Sequence, residues 1–232
     1  MSKPMQGWLL GIHTTTPTLG LAMQPVSGSQ MKRSQTWSLG RQMAQQLHPR
    51  LENFLPPQQW SDLVGIGVAV GPGSFTGSRL GVTVARTLGQ GLCLPVYGVS
   101  SLAALAYARI ETDPVSLLAV QLDAQRGDWY GAVYRYAQAT DQLSVVVPEQ
   151  LWSTSSWQAQ LHLLQAQPCS LEIVDGTALA DPPVQAVATL AYKAYASGQL
   201  STWSDILPQY LRQPPIDSGA LKAPSPPKPP AD

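Results

Sequence analysis

Short apolar runs and longer amphipathic stretches alternate along the first half of the chain. Trp8–Ile12, Leu19–Met23 and Leu63–Val70 are short, apolar and bounded by turn residues, which is typical of buried strands. Gly40–Leu55 instead carries its apolar residues at helical spacing. A glycine-rich loop and a second helix follow Leu63–Val70, and another strand is predicted at Leu94–Val99. This order of elements predicts an α/β half with one shared core.

A similar pattern restarts after Asp113. Three more strands come first, and a helix, a strand and a second helix follow them. We therefore predict an α/β protein of two related halves, residues 1–113 and 114–212, followed by a tail at residues 213–232. The predicted elements of the second half are Val115–Leu122, Trp129–Tyr136, Leu143–Val147, Ser153–Gln165, Leu171–Asp175 and Val184–Ser197.

The tail differs from the rest of the chain in composition. It contains seven prolines in twenty residues. Such a composition does not supply enough apolar surface for a core, and it predicts a disordered or polyproline-like segment. An inert tail is favoured here over a binding motif.

Charge is scarce and balanced in this sequence. Charged residues make up 12% of the 232 residues, about half the usual share, and 14 basic residues offset 14 acidic ones. A neutral chain has no long-range field to attract nucleic acid or an anionic membrane, so any RNA contact would depend on a partner's basic surface. Low charge also favours a protein that works inside a complex.

The cysteines and the apolar runs bear on the cellular compartment. Cys93 and Cys169 lie far apart with no C-x-x-C pattern, which favours a reducing compartment. The N-terminal apolar run is too short for a signal peptide, and no apolar run has the length of a membrane span. We expect a soluble, cytoplasmic protein with no membrane contact.

The loop Gly71–Gly77 lies between a strand and a helix, where phosphate-binding loops occur. A Walker A loop needs G-x-x-x-x-G-K-[ST], and neither that glycine spacing nor the lysine is present. A dinucleotide fingerprint needs G-x-G-x-x-G and a later acid, but this loop is one residue longer and Val84–Arg109 contains no acid. Backbone N–H groups at Thr76–Arg79 can still hold an anion, as any helix N-terminus can. We favour the alternative, in which the glycines serve a tight turn and close packing.

The helix after this loop has two different faces. A polar arc holds the charged and hydroxyl side chains, whereas the remaining surface is apolar or very small and is wider than one core face needs. Small residues recur at four-residue spacing on that surface, so we expect another helix, from a partner chain, to approach there. The small residues are Gly77, Gly81, Ala85 and Gly89, and the polar arc comprises Arg79, Thr83, Arg86, Thr87 and Gln90.

Several of these stretches resemble one protein family. GPGSFTGSRLGVTVARTLG and LPVYGVSSLAALA are similar to the signature of the TsaB family, also called YeaZ. The hairpin LLGIHTTTPTLGLAM, the turn LDAQRGDWYGAVY and the segment PQYLR agree with it. The resemblance covers about Trp8 to Arg212, and the G-P-G-S-F-T-G loop is its most specific part.

The resemblance implies a fold and a role. The fold is the duplicated actin, sugar-kinase and Hsp70 type (ASKHA), which agrees with the two predicted halves. The role is that of a non-catalytic dimerisation subunit in the machinery that makes threonylcarbamoyladenosine in tRNA. Its partners would be TsaD, which holds the metal and the active site, and the ATPase TsaE, with tRNA reached through the complex. The chain would need no cofactor of its own, and alone it could form a homodimer through the same helices.

The resemblance also assigns site residues. Partner contact in the family uses two helices that correspond to Gly40–Leu55 and Thr76–Gly91, and a vestigial nucleotide or anion site would lie at the glycine-rich loop and the turn after Leu122. The implied partner-interface residues are Met43, Leu47, Gly77, Gly81, Val82, Ala85 and Gly89. The implied cofactor-binding residues are Gly73, Ser74, Thr76, Gly77 and Asp123, although an Asp123 that caps its own turn is the favoured interpretation.

One departure from the family pattern bears on chemistry. His13 occupies the end of the first strand, where active members of the superfamily place an Asp that positions a metal-bound phosphate. An imidazole is a poor substitute for a carboxylate as an Mg²⁺ ligand, which disfavours ATP chemistry by this chain alone. Two alternatives to the subunit role are a small-molecule kinase or ATPase of the same fold, and a peptidase. The first is disfavoured by His13, the second by the lack of paired His, Cys or Ser residues.

Overall fold

The structure is a computed structural model that describes residues 7–27, 31–112, 117–166, 170–179 and 181–212. Two β-sheets and five α-helices make up this part of the chain. The predicted tail at residues 213–232 lies outside the described residues, as does the start of the strand predicted from Val115.

The first sheet has five strands in the order β3-β2-β1-β4-β5. The strands β1 and β2 form the predicted hairpin, and β3 extends it antiparallel. The strands β4 and β5 join β1 in parallel register, each after a crossover helix. The elements of this half are β1 (Trp8–His13), β2 (Thr18–Pro25), β3 (Arg33–Ser38), α1 (Met43–Phe54), β4 (Leu63–Gly71), α2 (Phe75–Leu92), β5 (Val96–Ser100) and α3 (Ser101–Thr112).

The second sheet repeats the first without its fifth strand, in the order β8-β7-β6-β9. An antiparallel meander of three strands is again followed by a helix and a strand parallel to the first of them. This repeated order confirms the predicted fold of two related α/β halves. The elements of this half are β6 (Leu117–Asp123), β7 (Asp128–Ala137), β8 (Gln142–Ser153), α4 (Thr154–Gln165), β9 (Leu171–Asp175) and α5 (Val184–Ala196).

The sheets and helices stack in five layers. α1 and α2 cover one face of the first sheet, where Leu47, Ile66 and Val82 share a core. α3 and α5 fill the space between the two sheets, and α4 covers the far face of the second sheet through Trp157 and Leu161. Both faces of each central strand are therefore buried, which explains why their sequences are almost continuously apolar.

α5 ties the two halves together. It belongs to the second half by sequence, yet it packs on β1, β2 and β4 of the first sheet. The contact is close enough to need small residues, since a side-chain carbon added at Gly11 would lie 2.8 Å from the Ala188 Cβ. The placement of a domain boundary near residue 113 stays a prediction.

The glycines of α2 pack against their own chain. Thr14 Oγ1 donates to the Gly77 carbonyl at 2.7 Å. A side-chain carbon at Gly77 would collide with the Thr14 carbonyl oxygen, and one at Gly81 with Thr14 Oγ1. At the other end of α2, a side-chain carbon at Gly89 would press against Val96. The glycines therefore permit the helix to approach β1 and β5, as the close-packing interpretation of the loop anticipated.

This packing corrects the prediction of an exposed strip for a partner helix. Every residue assigned to the partner interface is buried within this chain, so none of them presents a free surface. The exposed side of α2 is instead the predicted polar arc, on which Arg79, Thr83, Thr87 and Gln90 face solvent. The buried residues are Met43, Leu47, Gly77, Gly81, Val82, Ala85 and Gly89.

Candidate functional site: the cleft between the two halves

A large cleft opens where the parallel strands of both sheets end. His13, Asp123 and Gly176 line it, each at or just after the carboxyl end of a strand. The start of α2 and the turn between β6 and β7 complete its walls, and its volume is about 780 Å³. Crevices at the carboxyl ends of parallel strands are the usual ligand sites of α/β proteins, and this volume suits a small molecule or a short peptide.

His13 lies at the base of the cleft, enclosed by protein. Only 1% of its surface is exposed, and its Nε2 is hydrogen-bonded to Thr15 Oγ1 at 3.1 Å. Thr15 Oγ1 is held in turn by Ser101 Oγ at 3.0 Å. Burial lowers the pKa of His13 from 6.5 to about 4, so the imidazole is neutral at pH 7.

The glycine-rich loop is fixed to the β1–β2 turn. The Ser74 N–H donates to the Thr15 carbonyl at 2.7 Å, and Ser74 Oγ caps α2 by accepting from the Gly77 N–H at 3.1 Å. Gly73 has a φ of +153°, and a side-chain carbon there would lie 2.5 Å from the Thr15 carbonyl oxygen. Only glycine fits this position, because the two loops touch each other directly.

Asp123 lies across the cleft in the turn between β6 and β7. Its Oδ1 accepts from the Gln125 N–H at 2.7 Å, which confirms the turn-capping interpretation. Asp128 closes the same turn, and its carboxylate is paired with Arg212 at 2.7 Å. Arg126 is exposed between them. Sequence reasoning missed Arg212, because its partner is 84 residues away in the chain.

The structure brings most of the predicted nucleotide-site residues to this one cleft. Gly73, Ser74, Thr76 and Asp123 line it, whereas Gly77 is buried beneath the helix start. Whether they bind a nucleotide stays a prediction. The groups present fit the Mg²⁺ ion of an active superfamily member poorly, because the enclosed imidazole of His13 stands where those members have a carboxylate.

Metal-binding clusters and membrane-spanning helices are both absent from the described ranges, 7–27, 31–112, 117–166, 170–179 and 181–212. Within them, no group of three His, Cys, Asp or Glu side chains is placed to hold a metal ion. No helix of these ranges combines the length and apolarity needed to cross a membrane.

Comparison with known proteins gives a consistent set of relatives. The family model described as TsaD, tRNA N6-adenosine threonylcarbamoyltransferase, matches residues 40–201. The tRNA threonylcarbamoyladenosine biosynthesis protein TsaB of Bacillus subtilis is 43% identical over 96 residues, which is 41% of this chain and 40% of that protein. The protein of the same name from Escherichia coli is 28% identical over 193 residues, 74% of this chain and 81% of that protein.

A solved structure shows the same fold. YeaZ from Pseudomonas aeruginosa superposes with a TM-score of 0.72 at 23% sequence identity, over 88% of this chain and 100% of that chain.

Proposed function

The chain belongs to the TsaB (YeaZ) family, and on that premise we propose that it acts in the biosynthesis of threonylcarbamoyladenosine in tRNA. Its role is that of a non-catalytic subunit that binds and activates TsaD. TsaD holds the active site, TsaE joins the assembly, and tRNA contacts the chain through the complex.

The observation that supports this proposal most directly is the exposed surface of α1 and α2, the two helices that cover the outer face of the first sheet. α1 and α2 lie side by side on that sheet through a shared core, and their outward surfaces face solvent. Ala44 and Gln45 on α1 and Thr83 and Thr87 on α2 are exposed. Ala44, Thr83 and Thr87 are small and uncharged, so another pair of helices can approach closely at them, which supports a helix-to-helix contact with TsaD.

The cleft supports a non-catalytic role. Catalytic members of the superfamily use an accessible carboxylate at the end of the first strand, whereas His13 is enclosed there and hydrogen-bonded to Thr15. The corresponding strand end of the second half carries Asp123, whose carboxylate shapes its turn. The first of these two positions therefore offers no accessible carboxylate.

A pair of matched variants tests the partner contact. Ala44→Arg places a long charged side chain on the proposed interface, and Ala159→Arg places the same one on the exposed surface of α4. We expect Ala44→Arg to weaken TsaD binding, measured by calorimetry, by at least about tenfold, which corresponds to about 1.4 kcal/mol. Ala159→Arg should bind as the wild type does, and both variants should keep the wild-type melting temperature.

Two results would contradict the proposal. If the wild-type chain shows no binding to TsaD, the partner role is wrong. If it binds but both variants bind equally well, the outer layer of α1 and α2 is not the interface.

A further inference from the structure

Most of the accessible surface of the cleft wall is apolar. Phe75 from the first half and Leu179 from the second are 51% and 52% exposed, although both line the cleft. The charged groups of the lining cancel, since two acids accompany two bases. A highly anionic ligand such as a nucleoside triphosphate would therefore meet no net positive field, whereas an uncharged extended segment would cover the exposed apolar side chains. The charged lining residues are Asp123, Arg126, Asp181 and Arg212.

The described chain ends on the rim of this cleft. Residues 199–212, the C-terminal strap, leave α5 and cross the first sheet, where the Gln209 N–H donates to the Val70 carbonyl at 2.8 Å. The strap ends at Arg212, which lines the cleft and donates to the Ala124 carbonyl at 3.1 Å and to Asp128 at 2.7 Å. The twenty residues after Arg212 therefore start at the cleft itself.

We propose that the proline-rich tail, residues 213–232, docks into this cleft as an extended polyproline segment. Five of its seven prolines lie within residues 224–230 and favour an extended backbone there, with a rise of about 3.1 Å per residue, so this stretch loses little entropy on docking. Grooves lined by aromatic residues are the usual binding sites of such segments, and Phe75 and Tyr130 line this one.

The charge of the tail and its covalent attachment at the rim also favour the tail as the occupant of the cleft. The tail carries two aspartates and two lysines, so its net charge is zero, like that of the cleft lining. A segment joined directly to the rim has an effective concentration on the order of millimolar, so even a weak intrinsic affinity fills the cleft. The docked tail would exclude a nucleotide from the same space. This inference does not depend on the partner role proposed above.

A photo-crosslinking experiment on the full chain tests the inference. p-Benzoylphenylalanine at Leu179 places the reactive group on the cleft, and the same group at Leu163, which is 66% exposed on α4, is the matched control. We expect mass spectrometry to find crosslinks from position 179 to tail peptides, independent of protein concentration and about tenfold or more above the yield from position 163.

A second variant separates docking from random collision. Replacing all seven tail prolines by serine should lower the yield from position 179 several-fold, because the preset extended backbone is lost, while the melting temperature stays unchanged. The inference is overturned if position 179 yields no tail peptide, if both probe positions give equal yields, or if the yield rises with protein concentration. It is also overturned if the serine variant crosslinks as well as the wild type.

Discussion

The His13 imidazole is enclosed at the carboxyl end of β1, with Thr15 holding its Nε2 and Ser101 holding Thr15. A protonated imidazole would bring a charge into this enclosure, away from water. Burial therefore lowers the pKa of His13. Because the folded and unfolded chains then bind protons differently, His13 makes the stability of the protein depend on pH.

We predict that the protein loses stability as the pH falls through the range between the unfolded and folded pKa values of His13, 6.5 and about 4. In this range the unfolded chain binds a proton that the folded chain does not, so the free energy of unfolding decreases with decreasing pH. The loss is about 3 kcal/mol over the full range. Urea denaturation between pH 4 and 7 measures it.

His13→Gln provides the control for this titration. Glutamine can still hydrogen-bond to Thr15, but it does not bind a proton, so the variant should show a flatter dependence of unfolding free energy on pH. If the variant and the wild type show the same dependence, His13 is not the group responsible.

The sequence predicts the role of residues that act locally, such as Asp123, which caps its own turn. It could not predict the role of Arg212, because the ion pair with Asp128 joins residues that are 84 positions apart in the chain. The cleft could not be predicted for the same reason, since its walls come from the ends of several strands that are far apart in the chain.

At the scale of elements, α2 shows that the role of a glycine depends on what packs against it. Gly81 faces Thr14 so closely that a side-chain carbon would collide with the Thr14 hydroxyl, whereas a side-chain carbon at Gly91 would meet nothing within 4 Å. The two glycines lie in the same helix, and they differ in what surrounds them.

We predict opposite effects for the same substitution at these two positions. Gly81→Ala should destabilise the protein by about 1–3 kcal/mol, because the added methyl group forces α2 away from Thr14. Gly91→Ala should stabilise it slightly, by up to about 0.5 kcal/mol, because alanine favours the helical backbone in the exposed last turn of α2. Chemical denaturation of both variants measures the difference, and a Gly81→Ala variant as stable as the wild type would contradict the packing described.

The two faces of α2 could be predicted from the sequence, but what the small and apolar face packs against could not. The spacing separates the polar arc from the small and apolar surface, and most of the arc is exposed in the structure. The spacing does not tell whether the small residues meet a partner or the chain itself. That choice is settled by Thr14, which is 63 residues from Gly77 in sequence.

At the scale of the whole molecule, two elements from the end of the described chain join the halves. α5 lies between the sheets, and the C-terminal strap runs from the first half to the second. Arg79 at the start of α2 donates to Tyr210 Oη at 2.7 Å, and Arg212 holds the turn between β6 and β7. The strap therefore connects the start of α2 to the far wall of the cleft.

We predict that Arg212→Gln loosens this wall. The variant removes the ion pair with Asp128 and the bond to the Ala124 carbonyl, so amide hydrogens of residues 123–128 should exchange with solvent several-fold faster. Arg135→Gln, at an exposed arginine on β7, should leave their exchange unchanged. Equal exchange in both variants would show that the strap does not hold this turn.

The central claim concerns the role of the chain in tRNA modification, and a reconstituted reaction tests it most directly. TsaD, TsaE, the enzyme that makes the threonylcarbamoyl adenylate and unmodified tRNA are combined with and without this chain, and threonylcarbamoyladenosine is quantified by mass spectrometry. We predict modification only when both TsaD and this chain are present, with the Ala44→Arg variant giving less product than Ala159→Arg. Full modification without the chain, or modification by the chain without TsaD, would contradict the account.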